Sequence, residues 1–280
     1  MTNIKQARHH SRAPISVIIP CYQAEKTLIR AFKSVLEQSL QVSEIIIIDD
    51  GCTDNTLRIA RQIALKYKGL ISIIHFDLNK GVSEARNAGW NMASYQYIAF
   101  LDADDVWHPR KIEIQYDFLK SHPDCVLVGH KHQIKEHESQ QWLNLTTNFS
   151  IKKIQKWMLL LITPFATPTV IVKRNISFRF DTDMRYAEDY LLWLKVAFFG
   201  LGIYKIELPL AGTFKPNYGV AGLSYNIVNM KKGIDKVFFK LYQQGSISLI
   251  TLLICLFTSY LKHFKRLLIV KLNWNFRKRY

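Results

Sequence analysis

Glycine and proline are scarce in this 280-residue chain, at 12 and 8, which excludes collagen-like and low-complexity organisation. Only four cysteines occur, Cys21, Cys52, Cys125 and Cys255. They stand far apart and make no CxxC pair, so no zinc-ligand spacing is present and a reducing compartment is the simpler setting. The opening residues, MTNIKQARHHSRAP, contain no apolar stretch, so no signal peptide is expected. No apolar run approaches the ~20 residues a spanning helix needs. Residues 247–257 are mostly apolar over only eleven positions. Neither a GxGxxG nor a Walker pattern occurs, which argues against a dinucleotide oxidoreductase or a P-loop enzyme.

What the chain does have is apolar mass and positive charge. It is 49% hydrophobic and 12% aromatic, enough for a sizeable core in one large domain or two small ones. Lys and Arg number 38 against 22 acids, for a net charge of +16. Residues 231–280 hold eleven basic residues and a single acid, Asp235, so that segment carries +10 and the first 230 residues carry +6. A basic end segment calls for an anionic partner of its own, lipid or nucleic acid, without making the whole protein a nucleic-acid binder.

Apolar runs at 15–19 (ISVII), 45–48 (IIII), 71–75 and 97–101 read as strands. Between them, 25–39, a segment after Thr53 or Asp54, and 81–93 carry apolar residues at helical spacing. Later, 109–121 reads as a helix, 125–129 as a strand, 130–150 as irregular, 151–162 as a helix, 168–173 as a strand and 187–199 as a helix. Strands without polar alternation, each followed by a helix, predict an α/β fold with a mainly parallel sheet flanked by helices. In such sheets the ligand crevice lies beyond the carboxyl ends of the strands. Here those ends carry Pro20-Cys21-Tyr22, Asp49-Asp50-Gly51 and Asp102-Ala103-Asp104-Asp105.

In extended chain, residues i and i+2 face the same side, so Asp102 and Asp104 can share one site. Two adjacent carboxylates repel unless a cation joins them, and magnesium or manganese fits a pair whose shell is completed by water and phosphate. Asp50, closing the second strand, can accept hydrogen bonds from a ligand in the crevice, or cap the next helix as an Asx-turn. Lys80 and Arg86 flank a helix start after Gly81, a position suited to phosphate. Glu188-Asp189 opens a helix, either matching its dipole or holding a general base at the cleft rim. His130 and His132 have no third ligand at fixed spacing and read as a solvated strand end.

Taken together, SVIIPCYQAEKTL, IIIIDDGCTDNT, NKGVSEARNAG, YIAFLDADDVWHPRKI and YAEDYLLWLKVAFFG occur in the order found in family 2 glycosyltransferases of the GT-A fold. The resemblance covers about residues 14–215, and PNYGVAGLSYNIVNMKKG further resembles bacterial lipopolysaccharide and O-antigen sugar transferases. It implies a 1–215 catalytic domain, followed by a 216–280 helical extension, and inverting, metal-dependent transfer of a sugar from a nucleotide-diphosphate donor, commonly a UDP-sugar. Asp50, Pro20 and Tyr22 would bind the nucleoside, Arg86 and Lys80 the nucleotide, and Asp104 and Asp102 the magnesium or manganese. Asp189 would be the catalytic base, with Glu188 and Trp193 on the acceptor side. Cys52, Gln23 and Lys195 depart from the family's usual Ser, Asn and Arg. A non-catalytic nucleotide-sugar-binding protein is the alternative. A nucleotidyltransferase would want a glycine-rich phosphate loop where this chain has PCYQAEKTL.

Beyond residue 257, Phe257, Tyr260, Leu261, Phe264, Leu267 and Leu268 form one apolar stripe, with Lys262, Lys265 and Arg266 off it. This basic amphipathic helix is expected to lie on an anionic membrane surface, or else to pack on the domain with a solvated basic face. The resulting expectation is a cytoplasmic protein, peripheral on the inner face of the cell membrane, with a saccharide or lipid-linked acceptor. No nucleic-acid partner is expected, since no aromatic-basic stacking module is recognisable.

Overall fold

A computed structural model describes residues 12–146, 148–214 and 226–277. Its first half alternates β1 (Ala13–Cys21), α1 (Leu28–Leu36), β2 (Val42–Asp50), α2 (Thr56–Lys66), β3 (Ile71–Phe76), α3 (Val82–Met92) and β4 (Tyr97–Phe100). These strands pair in parallel in the order β3-β2-β1-β4. The unbroken apolar runs are explained by burial on both faces. Ile45 and Ile47 of β2 point into one core and Ile46 and Ile48 into the other.

The second half holds β5 (Val106–Trp107), α4 (Lys111–Ser121), β6 (Cys125–Ile134), β7 (Ile151–Lys153), α5 (Lys156–Leu161), β8 (Ile171–Lys173), α6 (Glu188–Phe198) and β9 (Gly202–Thr213). It extends the sheet as β4-β8-β6-β9-β5, with β7 on β9. Strand β8 is antiparallel to β4 and β6, and β5 and β7 are antiparallel to β9. Since β6 and β9 are parallel to each other, six of the nine described strands point one way and their carboxyl ends share one edge.

Three local expectations are corrected. The 151–162 segment is not one helix: its first residues pair with β9, and only Lys156–Leu161 is helical. A 3-10 turn, Thr167–Thr169, takes up the start of the segment expected as a strand, because Pro168 offers no N–H to a ladder. The strand from Cys125 runs on to Ile134, which buries His130 rather than leaving it at a solvated end. Pairing with β9 supplies the backbone partners that polar side chains alone do not advertise.

Two helices follow, α7 (Ile227–Gln243) and α8 (Leu249–Arg277). The extension expected at 216–280 is packed on the domain: Val237, Phe238, Leu241, Leu252 and Cys255 join the core beside α6. Its residues 216–225, including the whole PNYGVAGLS stretch, lie outside the described residues. On α8 the opposite face, with Ile250, Leu253, Phe257, Leu261, Phe264 and Leu268, is exposed. Among the described residues no helix is long and apolar enough to cross a membrane.

Helix α3 is the brace between the sheet and α6. At Gly89 a Cβ would lie 2.8 Å from Ile18 and 2.9 Å from Ile48, so glycine lets the helix sit directly on β1 and β2. Asn87 grips the backbone of Phe180 at both ends, donating to its carbonyl at 2.8 Å and accepting from its N–H at 3.0 Å. Trp90 donates its indole N–H to the Arg174 carbonyl at 3.0 Å. The rings of Trp90, Phe100, Phe180 and Trp193 pack at centroid distances of 5.2 to 6.2 Å.

Candidate active site

The loops after β1 and β2 are sewn together by side chains. Gln23 sits at φ 51, a left-handed conformation that Asn tolerates better than Gln. Its amide offsets that strain: Oε1 accepts from the Thr53 and Asp54 N–H groups at 3.2 Å each, and Nε2 donates to Thr53 Oγ1 at 2.7 Å. Thr56 Oγ1 accepts from the Ala24 N–H at 2.8 Å. Cys52 accepts from the Gln23 N–H at 3.3 Å and donates to the Cys21 carbonyl at 3.4 Å. Burial, and then Asp49, push its thiol up to about 12, so it stays neutral and serves as both donor and acceptor in this junction.

Asp50, expected to bind the nucleoside, ends β2 beside the loop ahead of α3. Its carboxylate is buried and accepts from the Lys80 N–H at 2.7 Å, the Gly81 N–H at 2.9 Å and Asn79 Nδ2 at 2.9 Å. It therefore shapes the loop ahead of α3, and a nucleoside would share an acceptor that is already occupied. Asp49 is also buried and holds His75 Nδ1 at 2.7 Å. Gly51 makes this meeting possible. It has φ 67, and a Cβ there would lie 2.4 Å from the Asn79 backbone nitrogen. Gly51→Ala is expected to cost at least ~1–2 kcal/mol for the left-handed backbone alone. The clash with Leu78 and Asn79 adds to that, and thermal melting checks it.

Of the other residues expected at the nucleotide, Tyr22 is exposed just after β1 and Pro20 is buried near its end. Lys80 is exposed, its ammonium 4.5 Å from the Phe76 ring centroid, within reach of an incoming anion.

Arg86 is the centre of the site. Expected to help hold the nucleotide, it is buried, with Nη2 donating to Asp102 Oδ1 at 2.8 Å and Nη1 to Glu188 Oε1 at 2.9 Å. One guanidinium thus joins the DAD motif to the Glu188-Asp189 motif, the fork geometry that lysine cannot supply. Burial works against its charge, but Asp102 and Glu188 outweigh it and hold its pKa above the ordinary arginine value.

Asp189 Oδ2 accepts from Thr167 Oγ1 at 3.0 Å and Oδ1 from the Tyr190 N–H at 2.7 Å. Burial raises its pKa, against the pull of Arg86 and these hydrogen bonds. Glu188 is raised to about 7 by burial and by the charge of Asp189, with Arg86 opposing. Ala187, immediately before the pair, has φ 59, a strained position that turns the first residues of α6 toward Arg86. Trp193 does not belong to the acceptor side. It is wholly buried against Phe180, because residues 190–194 of α6 are apolar and this second turn lies in the core.

Sequence reasoning missed Thr167, Asn79 and Arg30. Arg30 donates Nη2 to the Asp104 carbonyl at 2.7 Å and so clamps the DAD turn from α1. The Thr-Pro-Thr turn was the available signal for Thr167. Arg30 left none, being one basic residue on a helix face.

The residues present suit a divalent cation shared with a substrate. Asp102 and Asp104 are half-buried at the end of β4, and Arg86 contacts one oxygen of Asp102. Among the described residues no group of three or more His, Cys, Asp or Glu forms a closed cage. A two-carboxylate site completed by phosphate oxygens and water is what magnesium or manganese accepts.

The chain matches the description "Glycosyl transferase family 2" over residues 16–182, a segment that stops short of Asp189. It is 30% identical over 203 residues to the Bacillus subtilis (strain 168) protein EpsE, covering 71% of this chain and 72% of that one. It is 30% identical over 184 residues to the Escherichia coli protein WfgD, named UDP-Glc:alpha-D-GlcNAc-diphosphoundecaprenol beta-1,3-glucosyltransferase, covering 65% of this chain and 69% of WfgD. The fold is similar to that of the mannosyltransferase PcManGT from Pyrobaculum calidifontis, solved with GDP-Man and Mn2+, at a TM-score of 0.63 and 18% identity. That likeness covers 89% of this chain and 73% of PcManGT. The acidic strand ends, the Arg86 bridge and these likenesses agree: the chain is a glycosyltransferase of the GT-A fold and belongs to glycosyl transferase family 2.

Proposed function

We propose that this glycosyltransferase inverts the anomeric centre of a nucleotide-diphosphate sugar, a UDP-sugar in the first instance, and transfers the sugar to a lipid-linked saccharide for a cell-surface polysaccharide. The observation that carries the reading is Arg86, which draws the acidic end of β4 and the acidic start of α6 into one cluster. The name of WfgD supports the donor and acceptor classes, and the Mn2+ bound with GDP-Man in PcManGT supports a divalent cation.

Asp104 and Asp102 would hold magnesium or manganese, which when bound supplies Lewis-acid neutralisation of the departing diphosphate. Asp189 takes the proton of the acceptor hydroxyl as its oxygen bonds to the anomeric carbon, on the face opposite the breaking bond to the phosphate oxygen. Thr167 and the Tyr190 N–H keep that carboxylate oriented, and its raised basicity suits the task. Arg86 keeps Glu188 and Asp102 in place while Asp189 acts.

Calorimetric titration with UDP tests the donor site. Binding is expected to strengthen with manganese, to weaken when EDTA removes the metal, and to lose its metal dependence in Asp104→Ala. UDP binding that ignores the metal and this substitution would overturn the DAD assignment.

The pH profile tests the base. Below the raised values of the Glu188–Asp189 pair both carboxylates are protonated, so kcat/KM falls as pH drops through them. The acid limb is expected above the ordinary carboxylate range, because burial raises Asp189. A limb near 4 would show that an ordinary solvated carboxylate is the base.

The outer face of α8 supports peripheral attachment to an anionic membrane, each basic residue near the surface adding about 1 kcal/mol. Because the inner face of α8 is part of the core, the test is substitution rather than truncation. Phe257→Ser with Phe264→Ser is expected to move the protein from the membrane pellet to the supernatant without changing its melting temperature. Unchanged partition would leave α8 as a packing helix only.

A further inference from the structure

Acids are absent from two long stretches of the sequence, 139–180 and 236–280, which carry six and nine basic residues. The fold brings these stretches together at α5 and α8, where the Lys262 ammonium contacts the Leu161 carbonyl. Helix α5 is six residues long and has two unlike faces. Leu159 and Leu160 are buried in the core, whereas Trp157, Met158, Leu161 and the following Ile162 are exposed, Trp157 by 55%. A single exposed leucine is ordinary. Four large apolar side chains within residues 157–162, beside the exposed Phe257, Leu261 and Phe264 of α8, make a surface that calls for a partner.

Charge decides which partner fits. Lys156 and Lys265 are exposed on the two helices, and Lys262 stands between them. Acids approach only on the side of β7, where Asp124 meets Lys153 at 3.3 Å and Glu207 meets Lys152 at 3.8 Å. A second copy of the chain would set these like charges face to face. An anionic bilayer accepts both the apolar side chains and the basic residues around them, and the amphipathic indole ring of Trp157 suits its headgroup level.

We propose that α5 and α8 together form the membrane-facing surface, with Trp157 inserted at the headgroup level of an anionic bilayer, so that the elements holding Asp189 stand beside the lipid. The inference rests on the peripheral attachment of α8 proposed above and adds a second element to it. A single helix on a surface leaves the protein free to roll about the helix axis, and a second contact fixes that rotation. Helix α5 is also the contact that leads to the chemistry. Its Leu159 carbonyl accepts from the Tyr190 hydroxyl at 2.6 Å, and the Tyr190 N–H donates to Asp189 at 2.7 Å. The chain leaving α5 runs on to Thr167, whose hydroxyl holds the other oxygen of Asp189.

Fluorescence quenching of the full chain by vesicles of brominated phosphatidylcholine and phosphatidylglycerol tests Trp157 directly. Trp274 lies on α8 and is first replaced, Trp274→Phe, while Trp90, Trp107 and Trp193 are already shielded in the core. The brominated vesicles are expected to quench this protein. Adding Trp157→Phe is expected to remove most of that quenching and leave flotation with the vesicles unchanged. In flotation, Trp157→Ser with Leu161→Ser is expected to weaken binding roughly tenfold, what burying two half-exposed large side chains supplies. Melting temperature and transfer to a soluble saccharide acceptor are expected to stay near those of the unaltered protein. Quenching that survives Trp157→Phe, or flotation that ignores the serine pair, overturns the proposal. Self-association abolished by the serine pair assigns the surface to a second copy and overturns it too. Phe257→Ser with Phe264→Ser separates the two readings: loss of binding there, with none from the α5 pair, keeps the attachment of α8 and removes α5 from it. No vesicle binding by the unaltered protein overturns both.

Discussion

Asp189→Asn is expected to lower kcat by about 10²–10⁴-fold, the usual contribution of a general base, while UDP affinity and melting temperature stay near those of the unaltered protein. The substitution is nearly isosteric. The amide oxygen still accepts from the Tyr190 N–H, and the Thr167 hydroxyl rotates to accept from the new amide, so the start of α6 keeps its hydrogen bonds. What is lost is the capacity to take a proton. Steady-state kinetics beside UDP calorimetry separates the two: a lower kcat with unchanged UDP binding assigns the base, and an unchanged kcat removes Asp189 from that role. Thr167→Val is the milder companion, since it leaves the carboxylate but frees it to rotate.

Arg86→Met is expected to cost about 3–5 kcal/mol of stability, the range for breaking a buried ion pair by removing one partner. At about 2–4 °C per kcal/mol for a protein of this size, the melting temperature falls by on the order of 10 °C. The loss depends on pH in a direction that follows from the Glu188 titration. Glu188 binds its proton more tightly in the folded protein, at about 7, than the ordinary 4.5 of the unfolded chain, so ionising it costs stability as pH rises through that window. Without Arg86 the charge on Glu188 has only the like charge of Asp189 beside it. The variant is therefore expected to lose more stability at pH 8 than at pH 5. Melting curves at the two pH values check the sign. Arg86→Lys restores the charge but reaches one acid at a time, so it is expected to recover part of the stability and little of the activity. A variant that melts with the unaltered protein at both values would mean that the two acids find other partners.

Much of this molecule can be read along the chain. The strands β1 to β4 are legible because they are buried on both faces, which leaves apolar runs with no polar alternation. The DAD carboxylates and Asp50 are legible as candidates because they stand at the carboxyl ends of buried parallel strands, where the ligand crevice lies, and Asp189 because it opens a helix in the last of the five ordered motifs. The 151–162 segment is less legible, since a short edge strand such as Ile151–Lys153 depends on β9 for its hydrogen bonds and has no internal pattern. Lys111 shows the limit from the other side. It is wholly buried over the Trp107 ring at 4.0 Å, and burial lowers its pKa, which nothing in the local sequence marks.

The family, the parallel sheet and the acidic edge follow from local sequence, because backbone conformation and burial are written in residues that are neighbours along the chain. Which acids meet which cations does not. Arg86 is 16 residues from Asp102 and 102 from Glu188, and only the docking of α3 between the sheet and α6 makes it the bridge between them. The same docking turns Asp50 toward the Asn79–Gly81 loop and buries Trp193 in the core. The sequence offered α8 two places, an anionic membrane surface or the domain, and the folded chain packs one face of it on the domain. Its inner face completes the core with Leu252 and Cys255, and its outer face remains apolar, basic-flanked and exposed. Ion pairs and helix faces are decided by distance in space, and in a folded chain that distance is set by packing between elements far apart in sequence.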